Sequence, residues 1–259
     1  MVKTPDELAF MRLSGKMLAS VFEMLDGQEL AGMSTLQVND LVDRFITVDL
    51  AARPASKGQY GFRHVLNCSI NHVVCHGVPN PDEIIREVDI VNFDITREKN
   101  GFIADSSKTY VVGDALPAAR RLVRVAQEAM WKGIRQVRPG AYLGDVGFAI
   151  ERHAKRNGYS VVREFCGHGI GREMHEEPQV LNFGRPGTGL KLREGMVFTI
   201  EPMVNQGTRM VSTASDGWTV VTNDRKLSAQ FEHTVAVTGS GVEVLTLRRD
   251  EMSMVESRL

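Results

Sequence analysis

A run of β-branched and apolar residues closing on an acid occurs twice in this chain, as Glu87-Val88-Asp89-Ile90-Val91-Asn92-Phe93-Asp94 and as Glu194-Gly195-Met196-Val197-Phe198-Thr199-Ile200-Glu201. A fold that satisfies both copies is built from two related halves. The flanking sequence repeats at coarser grain. Thr4-Pro5-Asp6-Glu7 carries the cap, N1 proline and N3 acid of a helix start, and Leu8, Met11, Leu18, Val21 and Phe22 follow at helical spacing. Ser34-Thr35-Leu36-Gln37 offers a second capping box leading to Leu41, Phe45, Ile46 and Leu50, with Pro54 beyond. In the second half, 118–137 and 146–156 read as the matching helix pair, broken by Pro139-Gly140 and stopped by Gly158. Strand-forming segments 65–74 and 90–112 follow the first pair, and 161–165 and 196–237 the second. The expectation is a single α+β domain over 1–259, with halves of about 1–114 and 115–259 and a cleft where they meet.

Alternation along the strands then places the acids. In 90–96, Val91, Phe93 and Ile95 share one face, while Asn92, Asp94 and Thr96 share the other. In the second copy, Phe198 and Ile200 oppose Thr199 and Glu201, and Pro202 ends the run. Asp105 and Glu232 sit in comparable apolar surroundings. Taken singly, each acid reads as a solvated strand position. Four acids in core-type strands, two from each half, instead favour a shared inward role, because Asp and Glu are poor strand formers. Converging carboxylates repel one another unless a cation offsets them. Oxygen donors with one imidazole suit divalent Mn, Fe, Co or Zn better than a thiolate site does. The candidate imidazole is His168, whose flanking Gly167 and Gly169 permit close backbone approach.

Composition narrows the function classes. Lys and Arg number 31 against 32 Asp and Glu, so no strong field draws the chain to nucleic acid or an acidic membrane. The charged N-terminus lacks an apolar export signal, and no apolar stretch approaches the roughly 20 residues of a membrane span. Three cysteines without a CxxC pair point to a reducing, cytoplasmic setting. Gly184 to Gly189 lacks the Gly-Lys-Ser/Thr ending of a phosphate loop, and no HExxH is present. His64, His72, His153 and His233 read as structural or exposed.

Read in order, Cys75-His76-Gly77-Val78-Pro79, Asn92-Phe93-Asp94, Asp105-Ser106-Ser107-Lys108, Gly167-His168-Gly169-Ile170-Gly171, His175-Glu176-Glu177-Pro178, Ile200-Glu201-Pro202-Met203 and Phe231-Glu232-His233-Thr234 resemble the type I methionine aminopeptidases, over nearly the whole chain. The resemblance implies the duplicated pita-bread fold, with its antiparallel sheet backed by helices. It implies two divalent metal ions (Co, Mn, Fe, Zn or Ni) held by Asp94, Asp105, His168, Glu201 and Glu232, with Asp105 and Glu232 bridging. It makes His76 and His175 substrate-contacting histidines, and places Gln59, Phe62, Asn67, Met174 and Trp218 around the substrate's first side chain. Acid-base chemistry then suggests Glu201 as proton shuttle, with His175 at the oxyanion and His76 by the departing nitrogen as the other catalytic side chains. Gln59 and Asn67 depart from the aromatic residue or Cys frequent in the family, while Phe62, Met174 and Trp218 keep an apolar, polarisable wall. The implied partner is the N-terminal methionine of nascent polypeptides, with transient ribosome association, no specific nucleic acid, no membrane, and a monomeric enzyme. The type without an N-terminal extension fits best. The competing class is a binding module on the same fold, which need not keep the five ligands.

Overall fold

Thr4 caps the first helix as its sequence predicts: its hydroxyl accepts the Glu7 N–H at 3.3 Å, and the Glu7 carboxylate accepts the Thr4 N–H at 3.0 Å. The computed structural model describes residues 2–256. Helix α1 runs Pro5–Asp26 and buries Met11, Leu18, Val21 and Phe22. Helix α2 (Thr35–Arg44) begins on the reciprocal Ser34/Gln37 cap, and the helix expected to continue to Leu50 widens into a π turn over Phe45–Asp49. Helix α3 (Pro117–Ile134) ends short of Val137, because the Gln136 and Val137 N–H groups bond only three residues back. Helix α4 (Leu143–Arg156) starts ahead of the expected Val146. Its first turn is fixed by the Asp145 carboxylate accepting the Tyr142 N–H at 2.8 Å, a cap with no Ser or Thr to announce it.

In the first half the strands are β1 (Arg53–Pro54), β2 (Leu66–Ile70), β3 (Val73–Cys75), β4 (Ile90–Lys99) and β5 (Phe102–Val111). In the second they are β6 (Ser160–Val161), β7 (Gly167–Gly169), β8 (Glu176–Val180), β9 (Val197–Ile200), β10 (Met203–Asn205), β11 (Val211–Thr213), β12 (Val220–Thr222), β13 (Ser228–Gln230), β14 (Glu232–Val237) and β15 (Val242–Val244). The 65–74 segment, expected as one strand, breaks at Asn71, whose φ of 55° turns the chain out of the sheet. The 161–165 segment keeps only its first residue in a strand.

The main sheet has the order β1-β4-β5-β14-β9-β7-β8, with β2 on β4 and β15 on β14. β4 and β5 form an antiparallel hairpin closed by Asn100 and Gly101, both at positive φ, a turn whose twist matches the strands. The halves are joined where β5 pairs with β14, Ser107 opposite Glu232 and Ser106 opposite His233. Each half packs its own helix pair on the sheet. Leu18 and Phe22 meet Val91, Phe93 and Ile95, while Leu122, Trp131 and Ile150 meet Phe198, Ile200 and Val235. The apolar faces of β4 and β9 are therefore spent on helices, and alternation turns Asp94 and Thr199 to the opposite side. The sheet and helix arrangement is the pita-bread architecture that the resemblance implies.

Candidate metal centre

On that opposite side a cavity of about 540 Å³ opens. Asp94 of β4, Asp105 of β5, His168 of β7, Glu232 of β14 and Glu201, one residue past β9, all line it. Asp105, His168 and Glu232 each place a ligand-type atom within 4.8 Å of the others. His168 Nε2 lies 3.6 Å from Glu201 Oε1 and 3.9 Å from Asp105 Oδ2. Asp94 joins the cluster from the side, its Oδ2 accepting from Asn67 Nδ2 at 3.4 Å.

Burial and mutual repulsion leave their mark on these groups. Burial raises Asp94 to about 6. Glu201 is raised to about 8 by burial and then by the charge of Asp94. Asp105 and Glu232 are pushed well above the carboxylate range, by burial first and then by neighbouring carboxylates. His168 is lowered to about 4 by burial, so its ring is neutral at neutral pH. Its Nδ1 lies 3.0 Å from the Gly169 carbonyl, which can only accept. Nδ1 therefore carries the proton, and Nε2 presents a lone pair to the carboxylates.

The donor set fits divalent cations. Asp105 Oδ1 and Glu232 Oε1 are buried without a hydrogen-bond partner among the described residues, a costly arrangement for protein alone. Four acids and one neutral imidazole are also the oxygen-rich set that Mn, Fe, Co, Ni or Zn accept.

The glycines around His168 have a steric cause. A Cβ on Gly167 would sit 2.4 Å from the Thr199 carbonyl oxygen, and one on Gly169 would sit 2.1 Å from that of Glu177. Neighbouring strands close on the imidazole only because both positions lack side chains.

The remaining expected residues line the same cavity. His76 adopts φ 56°, an uncommon conformation for a side-chain-bearing residue, and its ring meets Phe165 edge-on at 5.5 Å. The His175 ring stands 4.4 Å from that of His168. Burial lowers both His76 and His175, leaving neutral rings that can donate. Phe62 and Trp218 pack at 5.1 Å, Gln59 and Met174 line the same cavity, and Asn67 stands beside Asp94.

Sequence reading passed over three residues. Gln230, buried beside the acids, points Nε2 at Glu201 Oε2 (3.4 Å) and leaves Oε1 without a partner among the described residues. Thr199 bonds to Glu201 directly. Both lie two positions before an acid, the spacing that places strand neighbours on one face. Tyr60, three-quarters exposed, stacks on His175 at 6.3 Å, and no periodicity in its turn signals it.

Behind the acids runs a second buried network. Arg248 donates from Nε to Glu251 Oε2 (2.8 Å) and from Nη1 to Ser106 Oγ (2.9 Å), whose hydroxyl donates to the Glu232 carbonyl (2.7 Å). His233 is fully buried and bonds Glu251 Oε2 at 2.9 Å, a structural role.

The sequence pattern of metallopeptidase family M24 matches residues 9–239. The methionine aminopeptidase of Escherichia coli K12 is 45% identical over 250 residues, covering 96% of this chain and 95% of the relative. Methionine aminopeptidase B of Synechocystis is 47% identical over 245 residues, 93% of this chain and 89% of the relative. The crystal structure of methionine aminopeptidase from Rickettsia prowazekii superimposes with a TM-score of 0.93 at 47% identity, over 95% of this chain and 99% of that one. The prolidase from Pyrococcus furiosus, at 21% identity and a TM-score of 0.76 over 96% of this chain and 66% of that one, shares the fold. The chain belongs to metallopeptidase family M24 and, within it, to the methionine aminopeptidases.

Proposed function

We propose that this chain is a metal-dependent exopeptidase that releases the N-terminal methionine of peptides and nascent proteins, preferentially when the second residue is small. One observation carries the reading: Asp105, His168 and Glu232 place ligand-type atoms within 4.8 Å of one another in a cavity that Asp94, Glu201, Phe62, Met174 and Trp218 also line. In this reading Asp94, Asp105, His168, Glu201 and Glu232 are the side chains that would hold the divalent cations. Bound there, divalent cations would supply Lewis acidity, making water nucleophilic near neutral pH.

The chain's own residues do the rest. The acid cluster attracts the substrate's free amine and fixes the register, so that only the first residue lies beside the reacting groups. Phe62, Met174 and Trp218 enclose the methionine side chain, and a polarisable thioether suits that wall. Gln59 and Asn67 place amides at its edge. Glu201 accepts the proton of the attacking water on a carboxylate oxygen and returns it to the departing nitrogen. His175 donates a hydrogen bond to the carbonyl oxygen as charge develops there, and His76 stands by the leaving nitrogen. The free thiols of Cys68, Cys75 and Cys166 suit a reducing cytoplasm, and we infer a monomer that meets its substrates as they leave the ribosome.

Cleavage of Met-Ala-Ser, Leu-Ala-Ser and Ala-Pro after reconstitution with Mn²⁺, Fe²⁺ or Co²⁺ tests this. Release of methionine from the first peptide well ahead of the others is expected, and preference for Ala-Pro would overturn it.

A further inference from the structure

We propose that Thr199 is a positioning residue of the metal centre, orienting the Glu201 carboxylate through its hydroxyl. The inference rests on the reading of Glu201 as a ligand. Thr199 is fully buried in β9, two residues before Glu201 and on the same face. Its Oγ1 accepts the backbone N–H of His168 at 3.0 Å. That bond occupies a lone pair and leaves the hydroxyl proton free for Glu201 Oε1, 2.9 Å away. A single hydroxyl thus ties the strand carrying the imidazole to the carboxylate that shares its site. Gly167 completes the arrangement, since a Cβ there would stand 2.4 Å from the Thr199 carbonyl oxygen and 3.1 Å from Oγ1.

Packing alone does not call for this residue. Valine has nearly the same shape and equal preference for a strand, so a core position that needed only volume would accept it. The hydroxyl matters because, among the described residues, Glu201 would otherwise keep as a side-chain hydrogen-bond donor only Gln230 Nε2 at 3.4 Å. A glutamate side chain held so loosely has to be ordered by the incoming cation, at the expense of affinity.

The test is calorimetric titration of the chelator-stripped protein with Mn²⁺, alongside steady-state cleavage of Met-Ala-Ser. Thr199→Val is expected to weaken Mn²⁺ binding about 10–100-fold and to lower kcat more than it changes KM. Thr199→Ser, which keeps the hydroxyl, is expected to restore both. Parent-like Mn²⁺ affinity in Thr199→Val overturns the proposal. So does a Thr199→Ser variant as impaired as Thr199→Val, which would assign the effect to the methyl group. Should circular dichroism show Thr199→Val unfolded, Thr199→Ala takes its place under the same criteria. The titration needs no substrate. Full Mn²⁺ binding by a parent protein that releases no methionine would therefore count against the aminopeptidase reading and leave the role of Thr199 to be decided on its own.

Discussion

Arg248 grips Glu251 with both arms of its guanidinium, Nε to Oε2 at 2.8 Å and Nη2 to Oε1 at 3.1 Å, with both side chains fully buried. The same arginine reaches Ser106 Oγ and the Ser107 carbonyl, so it braces β5 beside the strand that carries Glu232. Arg248→Met leaves the Glu251 carboxylate buried with only part of its partner set. The expected loss is about 3–5 kcal/mol, the cost of breaking a buried pair. That corresponds to a fall of roughly 6–20 °C in the calorimetric unfolding midpoint. Arg12 and Glu243 form an equally short but exposed pair, and Arg12→Met is expected to change stability by no more than about 1 kcal/mol.

Metal removal and pH act on one another in the acid cluster. Burial holds Asp94 near 6 and Glu201 near 8, against about 4 for free carboxyls in an unfolded chain. The folded, metal-free protein therefore binds protons that the unfolded chain releases. Their stabilisation is complete below about pH 4 and is lost as pH rises through 6 and then 8. With chelator present, the unfolding midpoint is expected to fall between pH 5 and 9. Saturating divalent metal should remove most of that slope, so that the gap between the two curves widens with pH. Parallel curves across this range would argue against the acids as the metal site.

Asp105→Asn and Glu232→Gln each replace a buried carboxylate, one oxygen of which has no hydrogen-bond partner among the described residues, with a neutral amide of similar shape. Both variants are expected to fold and to lose metal by more than the roughly 10–100-fold typical of groups beyond the ligands. Elemental analysis after gel filtration checks this, and full stoichiometry in Asp105→Asn would reject it as a bridging ligand.

His76→Ala and His175→Ala separate binding of metal from chemistry. Each should keep metal content and unfolding midpoint near the parent while kcat for Met-Ala-Ser falls roughly 10²–10³-fold, the usual cost of one donor to a developing oxyanion. Coordinate loss of metal in either variant would move that histidine into the ligand set.

Much of this could be read from residues alone, for identifiable reasons. The Thr4 and Ser34 caps are local signals, and the alternation of Val91, Phe93 and Ile95 against Asn92, Asp94 and Thr96 follows from strand geometry. Their side of the sheet becomes visible because helices claim the apolar face. The break at Asn71 and the early start of α4 escaped, since an αL asparagine and an Asp145-capped turn look ordinary in sequence. His233 shows a further limit. Its buried partners Thr246 and Glu251 come from the turn after β15 and the 3-10 helix Arg249–Glu251, and no local pattern links them to Glu232 beside it. The roles of Gln230 and Thr199 needed distances, because their spacing from an acid fits a plain strand equally well.

The seam between β5 and β14 has a consequence for the order of events during synthesis. Asp105 is made well before the strand that sets Glu232 beside it. A copy that stops before β14 carries Asp94, Asp105, His168 and Glu201 but lacks Glu232. The set of four acids is therefore complete only once β14 docks on β5.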